Sequence, residues 1–140
     1  MRHPQFHFIA LVAGLLLTPI VSDANPLGPR CELAPLATHF RDASLVFSGE
    51  VIYIRRTGDL GEIRFRVLRS WKHVNDREIT VAANPAIPET VDFVKGRRYL
   101  VFAAMFQGRL FAGGCSGTAE LVDAHDEIRQ LRKWSRRRSR

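Results

Sequence analysis

Residues 97–118 read RRYLVFAAMFQGRLFAGGCSGT, and this stretch decides the fold. A nearly unbroken apolar run of strand length covers residues 98–106, Gln107-Gly108 has the composition of a turn, and residues 110–112 return in the opposite direction. Gly113 and Gly114 follow the hairpin and end the strand pattern before Cys115. The pattern predicts a buried β-hairpin that ends at a cysteine.

Residues 1–24 have the three parts of a secretory signal peptide. A basic start at Arg2 precedes an apolar core over residues 8–21, and the small residues Ser22 and Ala24 follow it. This core is about 14 residues long, shorter than the roughly 20 that span a bilayer, which favours a cleaved signal over a transmembrane anchor. We therefore expect cleavage before Asn25 and a secreted or periplasmic product.

The rest of the chain is long enough for one domain with one core. Its charge is unevenly distributed: residues 25–128 carry 13 basic and 13 acidic residues, whereas residues 129–140 carry 7 basic residues and no acidic one. We therefore predict a signal peptide over 1–24, a neutral folded domain over 25–128 and a basic tail over 129–140.

The chain has two cysteines, Cys31 and Cys115. An exported protein meets an oxidising compartment, where two cysteines favour one disulfide over two buried thiols. A bond across this separation of 84 residues would stabilise the fold by roughly 4 to 5 kcal/mol on the chain-entropy estimate. We therefore expect a long-range disulfide.

The alternation of apolar and polar residues, together with residues typical of turns, predicts the remaining elements. A short helix is expected over 35–42, followed by strands over 45–56, 62–71 and 78–83, a long loop over 84–96, the hairpin strands, and a C-terminal amphipathic helix. The first strand should place Leu45, Phe47, Gly49, Val51 and Tyr53 on one face, with Gly49 marking a bulge or sharp coil. The last helix has apolar residues three or four apart from Leu121 to Trp134, and Thr118 or Asp123 could cap it.

Five strands with a helix after each cysteine predict a mainly β protein, namely a five-stranded Greek-key barrel with a short N-terminal helix and a C-terminal amphipathic helix. A β-sandwich is the alternative. Four segments, LVFSGEV at 45–51, VLRSWK at 67–72, GRRYLVFA at 96–103 and CSGT at 115–118, occur in order over nearly the whole predicted domain. In this respect the chain resembles small secreted bacterial proteins related to tissue inhibitors of metalloproteinases (TIMPs) and netrin-like modules.

The resemblance implies an oligonucleotide/oligosaccharide-binding-type barrel (OB-fold) and two disulfides, of which the chain lacks one. Pro29 stands where the family has its first cysteine, and residues 85–89 contain no cysteine partner. The remaining family bridge corresponds to Cys31–Cys115. In the animal inhibitors the first cysteine begins the mature chain and chelates the protease zinc, so its absence disfavours metalloprotease inhibition here.

No set of residues predicts an active site. Ser116 lacks the Gly-x-Ser-x-Gly spacing of a nucleophile turn and more often represents a strand-to-helix cap. His39, His73 and His125 are far apart in sequence, without metal-ligand spacing. An acidic group near the predicted last helix, Asp123, Asp126 and Glu127, suits a helix start. We therefore expect neither enzymatic activity nor a metal or other cofactor.

Binding remains as the function. The first hypothesis is a secreted protein-interaction module that uses barrel edges and the loop over 84–96 against another exported protein. The second is attachment to an anionic membrane or polyanion through the tail, whose cations and tryptophan suit such a surface. A merely solvated tail is the alternative. Nucleic acid is disfavoured because an exported protein seldom meets it. The tail residues assigned to surface binding are Arg129, Arg132, Lys133, Trp134, Arg136, Arg137, Arg138 and Arg140.

Overall fold

The computed structural model describes residues 34–83 and 91–138. The predicted signal peptide, the lead-in with Pro29 and Cys31, residues 84–90 of the predicted loop, and Arg140 lie outside the described residues. Neither helix of the described part has the length and apolar character that a membrane crossing requires.

The elements follow the predicted order, with a 3-10 turn and one short strand added. They are α1 (Leu36–Asp42), β1 (Leu45–Thr57), β2 (Leu60–Lys72), β3 (Glu78–Ala83), β4 (Arg98–Phe106), β5 (Arg109–Ala112), the 3-10 turn Gly114–Ser116, β6 (Ala119–Glu120) and α2 (His125–Arg138).

The first five strands close into a barrel. The neighbours are β1-β2-β3-β5-β4, and β4 pairs with β1 to complete the circle. All pairs are antiparallel except β3 with β5, which meet in parallel through Ala82 and Phe111. The predicted five-stranded OB-fold-type barrel is therefore confirmed, and the sandwich alternative is wrong.

Alternating side chains fill the barrel. On β2, Ile63 and Phe65 are buried while Arg64 and Arg66 are exposed, as the sequence pattern predicted. One residue of the predicted long loop also belongs to this core: Phe93 is buried and packs edge-on against Phe65 at a centroid distance of 5.4 Å. This part of the loop therefore packs into the barrel core.

Strand β4 is buried on both faces over its first half. Tyr99, Val101 and Ala103 belong to the barrel core, whereas Leu100 and Phe102 belong to a second core beneath the two helices. This double burial explains why the strand is an unbroken apolar run. The end of the hairpin is not buried as predicted, because Met105 and Phe106 reach past the barrel and are 56% and 61% exposed.

Strand β1 departs from simple alternation. A register shift against β2 between Val51 and Tyr53 turns the following side chains over, so that Ile54 packs on the core and Tyr53 is half exposed. The prediction that Tyr53 shares a face with Phe47 was therefore wrong. A second register shift lies between Ser48 and Gly49, where the sequence predicted an irregularity.

The CSGT segment ties the end of the barrel sheet to α2. The buried Thr118 hydroxyl accepts from the Phe102 amide at 3.0 Å and lies 3.3 Å from the Phe102 carbonyl. Thr118 therefore anchors to β4 and does not cap the helix, which is directly preceded by Ala124. Cys115 lies in the 3-10 turn, and no described cysteine is free. Because Cys31 lies outside the described residues, the Cys31–Cys115 bond stays a prediction.

Candidate binding groove

The predicted basic tail is mostly a continuation of α2. The helix runs to Arg138, so the predicted boundary between domain and tail at residue 128 lies inside it. Its inner face and the residue before it are part of the second core: Leu131 and the preceding Ala124 are each 1% exposed, and Ile128 is half-buried. The helix backbone carrying the cations is therefore fixed to the barrel.

Trp134 packs on the protein itself. Its ring meets Phe40 of α1 edge-on, with ring centroids 5.7 Å apart and an interplanar angle of 77°. It is also one of the half-buried residues against the second core. The structure thus separates Trp134 from the cations with which the sequence grouped it, because its apolar ring lies on the inner side of α2.

Two arginines of the predicted tail instead line a groove together with two arginines of the barrel. Arg129 and Arg132, three residues apart on α2, lie across a groove from Arg97 and Arg98 at the start of β4. The groove has a volume of about 790 Å³. We call it the basic groove, and its lining residues are Gly96, Arg97, Arg98, Glu120, Leu121, Val122, His125, Ile128, Arg129 and Arg132.

Part of the lining of the basic groove is apolar. Leu121 and Ile128 are half-buried and pack on the second core, while Val122 is 65% exposed. Leu121 was predicted within the last helix but lies in the turn before it, where its amide donates to the Arg98 carbonyl at 2.8 Å. This backbone bond holds the turn beside β4 and so shapes the groove.

Three of the four arginines that line the groove already bind carboxylates of their own chain. Arg97 lies 2.7 Å from Glu120 of β6, and this hydrogen bond raises the pKa of Arg97. Arg98 lies 3.6 Å from Glu50, and Arg129 lies 2.7 Å from Asp126. No ion pair is found for Arg132 within the described ranges. The geometry is therefore suited to holding carboxylates.

The other tail cations stand apart from this groove. Lys133, Arg136 and Arg137 are exposed and do not line it. Arg138 ends α2, and Arg140 lies outside the described part of the chain. The structure thus divides the predicted surface-binding set into two groove residues, one packed tryptophan and a group of exposed cations at the helix end.

The outer face of β1, β2 and β3 is the other surface to consider, because OB-fold barrels bind oligonucleotides there. Its arginines are interleaved with carboxylates: Arg66 lies 4.0 Å from Glu50, and Arg55 donates from Nε to Glu62 at 2.9 Å. A phosphate backbone would meet acidic groups on this face as well as cations. The basic groove differs from this face because its lining also includes the exposed Val122 and an arginine, Arg132, that has no ion pair within the described residues, and it is therefore the stronger candidate site.

Ser116 and the three histidines of the described residues lie at separate places in the fold. The Ser116 hydroxyl closes its own turn by donating to the Gly113 carbonyl at 2.5 Å. His39 packs near Phe102, His73 lies in the turn after β2, and only His125 reaches the groove. Within residues 34–83 and 91–138, no group of three or more His, Cys, Asp or Glu could hold a metal ion.

Sequence reasoning missed the barrel side of the groove. The adjacent pair Arg97-Arg98 was visible before an apolar run, but nothing local indicated that α2 would pack across from it. Glu120 and Val122 gave no signal at all, because their positions depend on the short strand β6. No protein-family model matches this chain, and no curated protein matches it either.

Proposed function

We propose that this protein is an exported, non-catalytic, TIMP-like OB-fold interaction module whose docking surface for another exported protein is the basic groove. The observation that carries the proposal is that four arginines line one groove together with apolar side chains, namely Arg97, Arg98, Arg129 and Arg132 with Leu121, Val122 and Ile128. Protein-binding patches combine apolar and charged side chains in this way.

The chemistry of the lining supports binding over catalysis. It offers arginines, one carboxylate and one imidazole, and no hydroxyl or thiol nucleophile stands among the lining residues. The one carboxylate, Glu120, is engaged by Arg97. Metalloprotease inhibition remains disfavoured, because the resemblance assigns zinc chelation to a terminal cysteine that this sequence lacks.

Site-specific photo-crosslinking tests the proposal. A photoreactive amino acid replacing Val122 lies in the exposed part of the groove lining, and the same group replacing Leu68, which is 46% exposed on β2, is the matched control. With the extracytoplasmic fraction of the source cells, we expect a discrete adduct at position 122 only. Excess wild-type protein should compete it away, and an Arg129→Ala/Arg132→Ala variant should not. Equal adducts at both positions would contradict the docking surface.

A second candidate function rests on the exposed cations at the end of α2. Lys133, Arg136 and Arg137 could attract an anionic bilayer, at about 1 kcal/mol for each cation near the surface. Co-sedimentation with anionic vesicles should then weaken in an Arg136→Ala/Arg137→Ala variant and at high salt. A chain ending at Ile128 is unsuitable for this test because it would also lose the buried Leu131. Salt-independent binding, or equal binding by both proteins, would contradict it.

A further inference from the structure

We infer, on the basis of the proposed docking function, that the basic groove receives an acidic segment with apolar side chains, and that this segment displaces Glu120 from Arg97. Glu120 would thus compete with a carboxylate of the partner for Arg97. Glu120 holds Arg97 while the groove is empty and releases it when a carboxylate of the partner arrives.

The first step is the charge of the walls. Arg97, Arg98 and Arg129 each already face a carboxylate of this chain, at 2.7, 3.6 and 2.7 Å. These contacts show that the guanidinium groups are oriented where carboxylates can reach them. Arg132 adds a cation that has no ion pair in the described part of the protein. Charge complementarity therefore favours an acidic occupant.

The second step is the apolar part of the groove lining. Val122 is 65% exposed, and Leu121 and Ile128 present further apolar surface beside it. A polyphosphate or nucleic acid would satisfy the arginines and leave this surface uncovered. An acidic polypeptide with interspersed apolar side chains satisfies both parts of the groove.

The third step is the position of Glu120. The side chains of Arg97 and Glu120 are 58% and 28% exposed, and both residues line the groove. An ion pair at this exposure stabilises a fold only weakly, so an incoming carboxylate can replace it at little cost. While Glu120 remains charged, it also repels an acidic ligand. Removing that charge should therefore strengthen binding.

Fluorescence anisotropy with a short labelled peptide alternating Glu and Leu tests the exchange. We expect Glu120→Gln to tighten binding roughly fivefold, the scale of one partly exposed ion pair. Glutamine can still accept a hydrogen bond from Arg97, so the fold is kept, and urea unfolding checks this. The matched control is Glu78→Gln, which makes the same charge change on β3, away from the groove lining, and should leave the affinity unchanged.

A second pair of variants tests the arginine wall. Arg132→Ala should weaken binding of the same peptide roughly fivefold, whereas Lys133→Ala, the adjacent position on α2, should not. A peptide alternating Glu and Ser should bind more weakly because it leaves the apolar lining residues uncovered. A peptide alternating Lys and Leu should not bind.

The outcomes separate this inference from the proposed function. If Glu120→Gln leaves the affinity unchanged or weakens it, the exchange is wrong, while loss of binding in Arg132→Ala would still support the groove. If the acidic peptide binds neither wild type nor Glu120→Gln, the occupant is wrong, and the adduct at position 122 would still support docking. Equal losses of peptide affinity in Arg132→Ala and Lys133→Ala would show that binding depends only on the net charge of the protein, and this result would overturn the inference.

Discussion

Gly49 shows how little space a single residue in β1 has. A Cβ atom there would lie 3.1 Å from the Arg66 carbonyl oxygen, from the Phe47 ring and from the Phe65 Cβ. Gly49→Ala should therefore lower the free energy of unfolding by about 1–3 kcal/mol, the usual cost of overpacking. Gly113→Ala is the control, because its Cβ would meet nothing within 4 Å. Urea denaturation measures both, and equal stability of the two variants would show that β1 relaxes around the methyl group.

Tyr99 makes a second prediction at the scale of one residue. Burial raises the pKa of Tyr99 above its ordinary value of 10.0, and its hydroxyl accepts from the Val94 amide at 2.9 Å. The folded state therefore favours the neutral phenol, so its contribution to stability is complete below pH 10 and is lost as pH rises through the folded pKa.

Tyr99→Phe leaves the Val94 amide without this acceptor and should cost about 1 kcal/mol at neutral pH. The difference between wild type and variant should shrink as the pH rises above the ordinary tyrosine value, as followed by urea unfolding across a pH series. A difference that stays constant or grows at high pH would show that the phenol is not held neutral by the fold.

Among the elements, α1 depends on a side chain from β2. The Lys72 ammonium donates to the carbonyl oxygens of Phe40, Arg41 and Ala43 at 2.8, 3.0 and 2.5 Å, and so satisfies the C-terminal end of the helix. A helix of seven residues has little stability of its own. The second core and this cap together hold α1 in place.

We therefore expect Lys72→Met to lower the free energy of unfolding by about 1–2 kcal/mol, since a charged donor is lost from three carbonyl groups. Amide hydrogen exchange should speed up within α1 before it does so in the barrel strands. Lys95→Met, at an exposed turn, is the comparison and should change neither quantity. Unchanged exchange in α1 would mean that packing alone holds the helix.

At the scale of the whole molecule, β4 joins two cores. Its inner side chains complete the barrel and its outer ones support α1 and α2, so the helices and the barrel should unfold together.

The predicted Cys31–Cys115 bond would add a covalent connection from the lead-in to the turn after β5. Thiol labelling of unfolded, unreduced mature protein should give no adduct, and reduction should expose two thiols. Labelling of two thiols without reduction would contradict the predicted disulfide.

The strands were largely determined by local sequence. Period-two alternation on β2, the apolar run on β4 and the turn residues between strands predicted the barrel and its five strands, because burial on one face or on both leaves a pattern in each strand. Gly49 was recognisable for the same reason, since a glycine on an apolar strand face indicates crowding or a bulge.

Only the tertiary structure decided which surface carries the arginines and which residues stay outside. Tyr53 turned outward because β1 slips its register against β2, and Trp134 packed inward because Phe40 from a distant helix meets it. The basic groove joins residues 96–98 to residues 120–132, which are separate in sequence and meet only when α2 packs across the start of β4. Such contacts depend on the placement of whole elements, and no local pattern of charge encodes that placement.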